Sequence, residues 1–480
     1  MLNKTIHTVI ICLALFILCP GDALAKEIDV KPFMEKFKKE KNPAKLRLLK
    51  WQRDFIEMEF PFTREQALEA LAKAFPDLGE IERIGLLDDP ATSYIIKDGE
   101  KRYFENIVKN SIYRTPKLAY KKTKGVKPLV GALWGQVFPD PGSGYPSRAS
   151  QPYINPIDFQ GNVTIDIPRK KLPKTAVVEI WVPLPLATAS QKWPRVISLT
   201  PEKYLTTVPH LDGDIAFAHF SFPMEELKDD LNISVDFSFS HYQQRFIVDP
   251  EKVLPYDKDS SLYRQYTRSH ANIAVTSEMR KTANRIVGRE TNPYLAAQKI
   301  YRYIVDNIPY SFAPHLTLQA LGIPESVFVL EHGHGDCGSQ AMFFSALCRS
   351  LGIPARSSGG FQIVPGWAGT HFWTEFYLEG YGWIPVDPTV GEAADWTGEI
   401  TEEERRTFKE HFFGNLDPYR FTIQKDVDTP LHPKPVESMF HEGWPTFVIQ
   451  TPVITCPECK DNPYFILDEH MKITYFPVDQ

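Results

Sequence analysis

The chain has few cysteines, no excess of basic residues and, beyond residue 25, no long hydrophobic run. A membrane-spanning helix needs about 20 apolar residues, and a later apolar stretch such as residues 129–134 is far too short. The 54 Lys and Arg are outnumbered by 60 Asp and Glu, which gives a formal net charge of −6. The sequence therefore predicts no membrane span after residue 25, and its charge offers no basic surface for nucleic acid.

Residues 1–25 have the pattern of a secretory signal peptide. Lys4 supplies a weakly positive start, residues 9–18 form a short apolar core, and residues 23–25 provide a small-x-small cleavage site. An uncleaved membrane anchor is the alternative. We expect residues 1–25 to be removed and the mature chain, about 455 residues (480 less 25), to be secreted or periplasmic. Four cysteines remain in it: Cys337, Cys348, Cys456 and Cys459.

The spacing of apolar residues predicts two regions in the first half of the mature chain. Residues 26–130 form a helical N-terminal region, in which Thr63 and Gln66 make a capping box ahead of a helical apolar stripe. After a loop rich in Pro, Gly and Ser at 139–147, the period changes to 2, so residues 150–250 predict an antiparallel β domain. The alternation is cleanest at Ile233, Val235, Phe237 and Phe239.

The second half of the chain returns to a helical pattern at about residue 251. Asn292 and Pro293 begin one predicted helix as its N-cap and first residue. Residues 251–391 hold the motifs that can carry chemistry, and residues 392–480 form a C-terminal extension with one charged helix and a C-x-x-C motif. A chain of this length is expected to contain two to four domains.

Residues 333–338, GHGDCG, match the G-x-G-x-x-G pattern of a dinucleotide-binding loop. Residues 326–330 are compatible with a strand before it, and residues 339–351 with a helix after it. That fold also needs an acidic residue about 20 positions later to hold the ribose. No Asp or Glu occurs between Asp336 and Glu375. The pattern is therefore weak support for a nucleotide site.

The same loop contains Cys337, which makes it a candidate nucleophile. A cysteine at a helix N-terminus meets backbone N–H groups, which are expected to lower its pKa and to stabilise the oxyanion of an acyl intermediate. Such a thiol needs a base and a group that orients the base. His371 lies on a predicted strand, and Asp387 lies on the next one. Their side chains share a face only if the intervening turn, near residues 379–382, has an odd number of residues or a bulge intervenes.

These residues resemble the transglutaminase-like superfamily of cysteine enzymes over about residues 255–391. The resemblance rests on Gly-Asp-Cys ending at Cys337, the run Leu-Gly-Ile-Pro-Ala-Arg at 351–356, His-x-Trp-x-Glu from His371, and Val-Asp-Pro-Thr around Asp387. It implies that Cys337 is the nucleophile, His371 the general base and Asp387 its orienting acceptor. It also implies an α+β fold, in which a papain-like transglutaminase core follows the antiparallel β domain and the helical N-terminal region.

The resemblance implies acyl transfer on peptide or amide bonds through a thioester, without a cofactor. The partner is then a peptide or protein substrate, including one in the cell envelope. Animal cross-linking members carry tryptophan directly after the nucleophile, whereas this chain has Gly338, so hydrolysis is favoured over cross-linking. A third possibility is a catalytically inactive module used for structure or interaction.

Other cysteines and histidines have simpler interpretations. Cys348 is three helical turns from Cys337 and is expected in the core. Cys456 and Cys459 can form a local disulfide, half of a zinc site or a redox pair. Zinc would need two further ligands, and His432 and His441 lie in the same part of the sequence.

His332 and His334 lie in the loop before Cys337. We expect both of these histidines to be solvent-exposed.

Overall fold

A computed structural model describes residues 27–115, 118, 126–139, 151–397, 400–435 and 450–478. The predicted signal peptide, residues 140–147 of the predicted loop and His441 lie outside this part of the chain. None of the helices in the described part is long and apolar enough to span a bilayer.

The N-terminal region is helical, as predicted, and it also contains a short β-hairpin. Thr63 and Gln66 form the predicted capping box, because the Thr63 side chain accepts from the Gln66 backbone and the Gln66 side chain accepts from the Thr63 backbone. Local apolar spacing gave no sign of the hairpin. The elements are Lys31–Lys39 (α1), Pro43–Glu59 (α2), Arg64–Ala74 (α3), Glu80–Leu87 (α4), Tyr94–Lys97 (β1), Glu100–Tyr103 (β2), Ile107–Arg114 (α5) and Val126–Val137 (α6).

The next region forms two antiparallel sheets, which confirms the alternating pattern. Its strands are Tyr153–Ile167 (β3), Val177–Pro183 (β4), Gln191–Thr200 (β5), Phe217–Pro223 (β6) and Leu231–Arg245 (β7). Strand β7 pairs with β3 along one edge and with β5 along the other, while β4 pairs with β6. The four residues with the cleanest alternation are buried on β7.

The region with the motifs places helices against a four-stranded antiparallel sheet. The strands are Ala355–Val364 (β8), Trp367–Leu378 (β9), Gly382–Val386 (β10) and Arg420–Gln424 (β12), in the order β10-β9-β8-β12. The helices are Ser261–Thr267 (α7), Ser277–Val287 (α8), Pro293–Asn307 (α9), His315–Leu321 (α10), Glu325–His332 (α11), Cys337–Ser350 (α12) and Pro388–Glu392 (α13). The nucleotide-binding interpretation is wrong, because residues 326–330 belong to helix α11 and not to a strand.

The C-terminal extension is more regular than its proline-rich sequence suggested. It contains the expected charged helix, Glu402–His411 (α14), followed by Asn415–Leu416 (β11), β12, Val453–Thr455 (β13), Pro463–His470 (α15) and Met471–Pro477 (β14). Strands β13 and β14 pair with β4 and β3, while β12 completes the sheet beside β8. The fold is therefore α+β as expected, whereas the bounds 26–130, 150–250, 251–391 and 392–480 stay a prediction.

Candidate active site

Cys337 is the first residue of α12 and the only residue of that helix that is not buried. The helix begins here because Asp336 caps it, accepting from the Ser339 N–H at 3.2 Å while its own N–H donates to the Ser339 hydroxyl at 2.9 Å. Cys348, the other free cysteine of the described residues, is fully buried on the same helix, as expected for a core residue. The structure thus leaves the Cys337 thiol as the accessible one.

His371 and Asp387 are brought together by the turn between β9 and β10. Gly382 pairs with Leu378, so the turn consists of three residues, 379–381, which is the odd number that the shared face required. Gly380 and Gly382 have φ of +87° and +88°, a region that suits glycine. His371 Nε2 lies 2.7 Å from Asp387 Oδ2. With the carboxylate as acceptor, Nε2 carries the hydrogen and Nδ1 is the basic nitrogen.

The Cys337 sulfur lies against the backbone that directly follows His371. The Phe372 N–H and the Gly338 N–H both donate toward this sulfur and favour its ionised form. Although the Cys337 side chain is partly exposed, the groups packed around its sulfur remove most of the water from it. This desolvation acts in the opposite direction and dominates, helped by the charges of Asp336 and Asp387, so the pKa of the Cys337 thiol is raised above its ordinary value. The expected lowering of this pKa by the helix N-terminus is therefore wrong, because burial costs the thiolate more than the N–H groups return.

Asp387 is fully buried and is held by three groups. Besides His371, Arg420 Nη1 lies 2.7 Å from Asp387 Oδ2, and the Val390 N–H donates to Oδ1 at 3.0 Å. Burial favours the protonated form of Asp387, but His371 and Arg420 outweigh burial, so its pKa is lowered. Asp387 therefore stays ionised and fixes the orientation of the His371 ring.

Arg420 extends this cluster into the protein interior. Its Nη2 lies 2.7 Å from Asp417 Oδ2, and its guanidinium lies 5.1 Å from the centre of the Trp373 ring. The residue comes from β12, beyond the end of the motifs at 391. No short motif marks Arg420, and its role becomes visible only through the pairing of β12 with β8.

A second histidine lies between two carboxylates behind the nucleophile. His315 Nε2 is 2.6 Å from Asp336 Oδ2, and His315 Nδ1 is 2.8 Å from Glu325 Oε1. Burial disfavours the imidazolium, but Asp336 and Glu325 outweigh it and raise the pKa of His315 well above its ordinary value. The sequence gave no indication of this cluster, which fixes the residue that caps the helix of Cys337.

Two expectations about the remaining histidines and cysteines are settled. His334 is fully buried, so the expectation of an exposed loop histidine is wrong for it, whereas His332 is partly exposed. Cys456 and Cys459 are joined by a disulfide. Neither of these two sulfurs is therefore available as a thiolate ligand for zinc. No group of three or more His, Cys, Asp or Glu in the described ranges could hold a metal ion.

Cys337 opens into a cleft of about 480 Å³. Part of its lining comes from the core, including Phe312, His315 and Phe372. Other parts come from the N-terminal region and from the C-terminal extension. The thiol is therefore accessible from a space that is large enough for several substrate groups.

The motif region matches a known family. Residues 280–388 fit the family model described as the transglutaminase-like superfamily. This segment includes Cys337, His371 and Asp387. The chain thus contains a core of the transglutaminase-like superfamily, which confirms the resemblance found from the motifs.

The individual proteins that are similar to this chain share low sequence identity with it. An uncharacterized protein of Haemophilus influenzae is 26% identical over 214 residues, which cover 39% of this chain and 56% of that protein. A candidate cysteine protease from Cytophaga hutchinsonii has 15% identity and a TM-score of 0.41, over 68% of this chain and 92% of that one. The periplasmic domain of TgpA from Pseudomonas aeruginosa has 14% identity and a TM-score of 0.26, over 54% and 93%.

Proposed function

We propose that this protein is an exported cysteine enzyme that cleaves peptide or amide bonds through a thioester on Cys337. His371 acts as general base and Asp387 as the acceptor that orients it. Hydrolysis is the favoured outcome, with a peptide or protein substrate, including one in the cell envelope. Neither this chemistry nor the set of residues calls for a cofactor.

One observation carries the proposal: the 2.7 Å contact between His371 Nε2 and Asp387 Oδ2 beside an accessible thiol at the start of a helix. A buried carboxylate that holds one imidazole nitrogen leaves the other nitrogen with a fixed direction. The Phe372 N–H, one residue beyond His371, donates toward the Cys337 sulfur. These contacts support a nucleophile on the cleft wall, with the proposed base and its orienting group on the strand that touches the sulfur.

The reaction begins with a protonated thiol, since burial raises the pKa of Cys337. His371 Nδ1 takes the thiol proton as the sulfur attacks the carbonyl carbon. The carbonyl oxygen becomes an oxyanion and faces the Cys337 N–H at the start of α12, since the Ser339 N–H already donates to Asp336. The imidazolium then gives its proton to the leaving nitrogen, and the C–N bond breaks to give a thioester and an amine.

The second half of the reaction releases the acyl group. His371 removes a proton from water, which attacks the thioester carbonyl. The C–S bond then breaks as the imidazolium returns its proton to the sulfur, which releases a carboxylic acid and restores the Cys337 thiol. Asp387 stabilises the imidazolium in both halves, and its lowered pKa keeps it ionised. An amine in place of water would give cross-linking.

The position after the nucleophile supports water as the acceptor. A β-carbon added to Gly338 would lie 3.2 Å from the Phe372 ring, tighter than ordinary contact. The tryptophan that cross-linking relatives carry here would need to displace that ring. The packing of Phe372 against Gly338 therefore does not suit that tryptophan, which supports the proposal of hydrolysis.

Export is supported by the first residues and by the disulfide. Residues 1–25 have the three parts of a signal peptide. Disulfides such as Cys456–Cys459 persist in oxidising compartments, including the bacterial periplasm and the extracellular space. We therefore propose a secreted or periplasmic location.

The test uses the mature protein and a peptidyl probe with an acylating group that targets cysteine. Labelling at neutral pH should occur at Cys337, disappear in Cys337→Ala and fall strongly in His371→Asn. Cys348→Ala is the matched control and should label normally, because Cys348 is buried. Failure of every acylating probe to label Cys337 would favour the inactive module. Ammonia release without incorporation of a fluorescent amine would distinguish hydrolysis from transfer.

A further inference from the structure

The cleft around Cys337 is completed by parts of the chain outside the segment that matches the superfamily. Helix α2 of the N-terminal region contributes Phe55, and the segment after β2 contributes Phe104. The C-terminal extension contributes Pro452 and, from α15, Tyr464. A bare core would lack these walls. They are features of this chain, and they determine which groups fit beside the nucleophile.

Direct contacts fix the walls to each other. The Phe55 and Tyr464 rings meet edge to face, with centroids 5.4 Å apart. The Asn462 side chain donates to the Trp51 backbone oxygen at 3.3 Å. The Gln450 side chain donates to the backbone oxygen of His371 at 2.9 Å, which fixes the C-terminal segment to strand β9.

The N-terminal wall is tied to the core in the same way. The Asn110 side chain donates to the backbone oxygen of Phe312 at 3.1 Å and accepts from the backbone N–H of Phe312 at 2.8 Å. Glu59 accepts from the Leu316 N–H at 3.1 Å and from the Thr317 N–H at 2.7 Å. The cleft is therefore preformed, so no free energy of binding is needed to assemble it.

Aromatic rings form part of the lining of the cleft that contains the thiol. Phe55, Phe104 and Phe372 are 3%, 2% and 6% exposed, and each contributes to the cleft lining. Whatever acylates Cys337 must place the groups next to its carbonyl in this space, because the sulfur is part of the same lining. An apolar side chain gains free energy by leaving water for such a surface.

The charged groups in the lining disfavour acidic substrate side chains. Among the described residues that line the cleft are the carboxyl groups of Glu59, Glu105 and Asp336, whereas lysine and arginine are not among them. Burial raises the pKa of Glu59 to about 7, so Glu59 is only partly ionised at neutral pH. The charge of His315 is already shared by two carboxylates. A substrate carboxylate would therefore lose water and meet mostly like charges, since Lys109, whose Nζ lies 5.2 Å from the centre of the Phe312 ring, already interacts with Glu105.

We propose that the cleft selects peptides with a bulky apolar side chain next to the carbonyl that Cys337 attacks, and that it rejects an acidic side chain there. This inference rests on the proposed acyl chemistry at Cys337. Its specificity residues are Phe55, Phe104 and Tyr464, with Glu105 at the exposed rim.

The experiment compares four peptidyl acylating probes that differ only in that side chain, which is Phe, Leu, Gly or Glu, on the mature protein. The Phe and Leu probes should label Cys337 at least tenfold faster than the Gly and Glu probes. Iodoacetamide, which carries no side chain, reports whether the thiol is accessible and the site intact. Equal rates for all four probes would overturn the inference and leave the proposed function standing.

Variants separate specificity from folding. Phe104→Ala should reduce the preference for Phe over Gly to less than threefold, with each peptidyl rate divided by the iodoacetamide rate of the same variant to correct for any change in the thiol itself. Glu105→Lys changes an exposed side chain, so the fold should persist, and it should raise the rate with the Glu probe at least fivefold. Trp193→Ala removes a 65% exposed ring outside the cleft and should change no ratio.

Two further outcomes distinguish failure of the proposed acyl chemistry from failure of the inference about substrate selection. Reaction of Cys337 with iodoacetamide but with none of the four peptidyl probes would refute the proposed acyl chemistry, and the inference with it. An unchanged Glu rate in Glu105→Lys, together with an unchanged preference in Phe104→Ala, would refute the inference alone.

Discussion

Replacing Arg420 by methionine removes a cation that lies between two buried carboxylates, and we expect a large loss of stability. Arg420, Asp387 and Asp417 have side chains that are 0%, 0% and 1% exposed. Both closest N–O distances are 2.7 Å. Methionine keeps much of the volume but leaves two negative charges without their common partner.

The expected magnitude follows from that burial. Two unit charges about 4 Å apart interact by about 4 kcal/mol at an effective dielectric constant of 20. Removing one member of a buried ion pair typically costs about 3–5 kcal/mol, because the remaining charge stays buried. We therefore expect Arg420→Met to lower the free energy of unfolding by about 3–5 kcal/mol.

A second substitution tests whether charge is the cause. Asp417 Oδ1 accepts from the Gln362 side chain at 2.8 Å and from the Tyr419 N–H at 3.0 Å, and asparagine keeps both contacts through its carbonyl oxygen. Adding Asp417→Asn to Arg420→Met removes one unpaired charge. The double variant should recover at least about 1 kcal/mol, within the usual range for coupled sites.

Urea unfolding, followed by tryptophan fluorescence and far-UV circular dichroism, provides the measurement. Arg302→Met is the matched control, since Arg302 pairs with Glu410 at 2.8 Å but the two side chains are 50% and 37% exposed. Such surface pairs contribute about 0–1 kcal/mol. An equal effect of the two arginine substitutions would refute the reasoning, and so would a double variant no more stable than Arg420→Met.

Three further predictions concern titration and thiols. Alkylation of Cys337 by iodoacetamide should accelerate steadily above pH 7, because the thiol pKa is raised; a rate that is already constant below pH 7 would contradict this. Burial raises the pKa of Glu59 from 4.5 to about 7. The folded state therefore binds this proton more tightly than the unfolded state does. The resulting stabilisation is complete below pH 4.5 and falls by about 3 kcal/mol as the pH rises to about 7. Glu59→Gln should remove this fall, which urea unfolding at pH 5 and pH 8 would detect, and identical pH dependence would contradict it. The mature protein, denatured without reductant, should take up two thiol labels, on Cys337 and Cys348, and four after reduction of the Cys456–Cys459 disulfide. Mass spectrometry would count them, and four labels without reductant would contradict the disulfide.

The parts of the site that the sequence predicted are those set by local rules. Gly-Asp-Cys before an apolar stretch indicates a helix start, and the structure has Asp336 as the cap and Cys337 as the first residue. The contact between His371 and Asp387 depended on strand alternation and on an odd turn, which two glycines allow. Both arguments involve residues close in sequence, where period and turn chemistry decide the geometry.

The parts that were missed depend on pairing between distant segments. Arg420 reaches Asp387 because β12 pairs with β8, and nothing in the local sequence indicates that pairing. His315 meets Asp336 across 21 positions, from a helix start without a capping side chain of its own. Residues such as Phe55 and Tyr464 meet only through tertiary packing. Apolar periodicity shows which face of an element is buried, but it does not show its partner.

The ionisation of Cys337 shows why the direction of a pKa shift could not be read from a helix start. A helix N-terminus stabilises a negative charge by at most about 2 kcal/mol. Burial can shift a pKa by several units, at about 1.4 kcal/mol each, and at Cys337 it acts together with the charges of Asp336 and Asp387. Burial is the larger effect, so the resting thiol keeps its proton. In the proposed mechanism His371 must therefore remove that proton during the attack itself. The orientation that Asp387 imposes on the His371 ring then affects the rate of the attack as well as the resting structure.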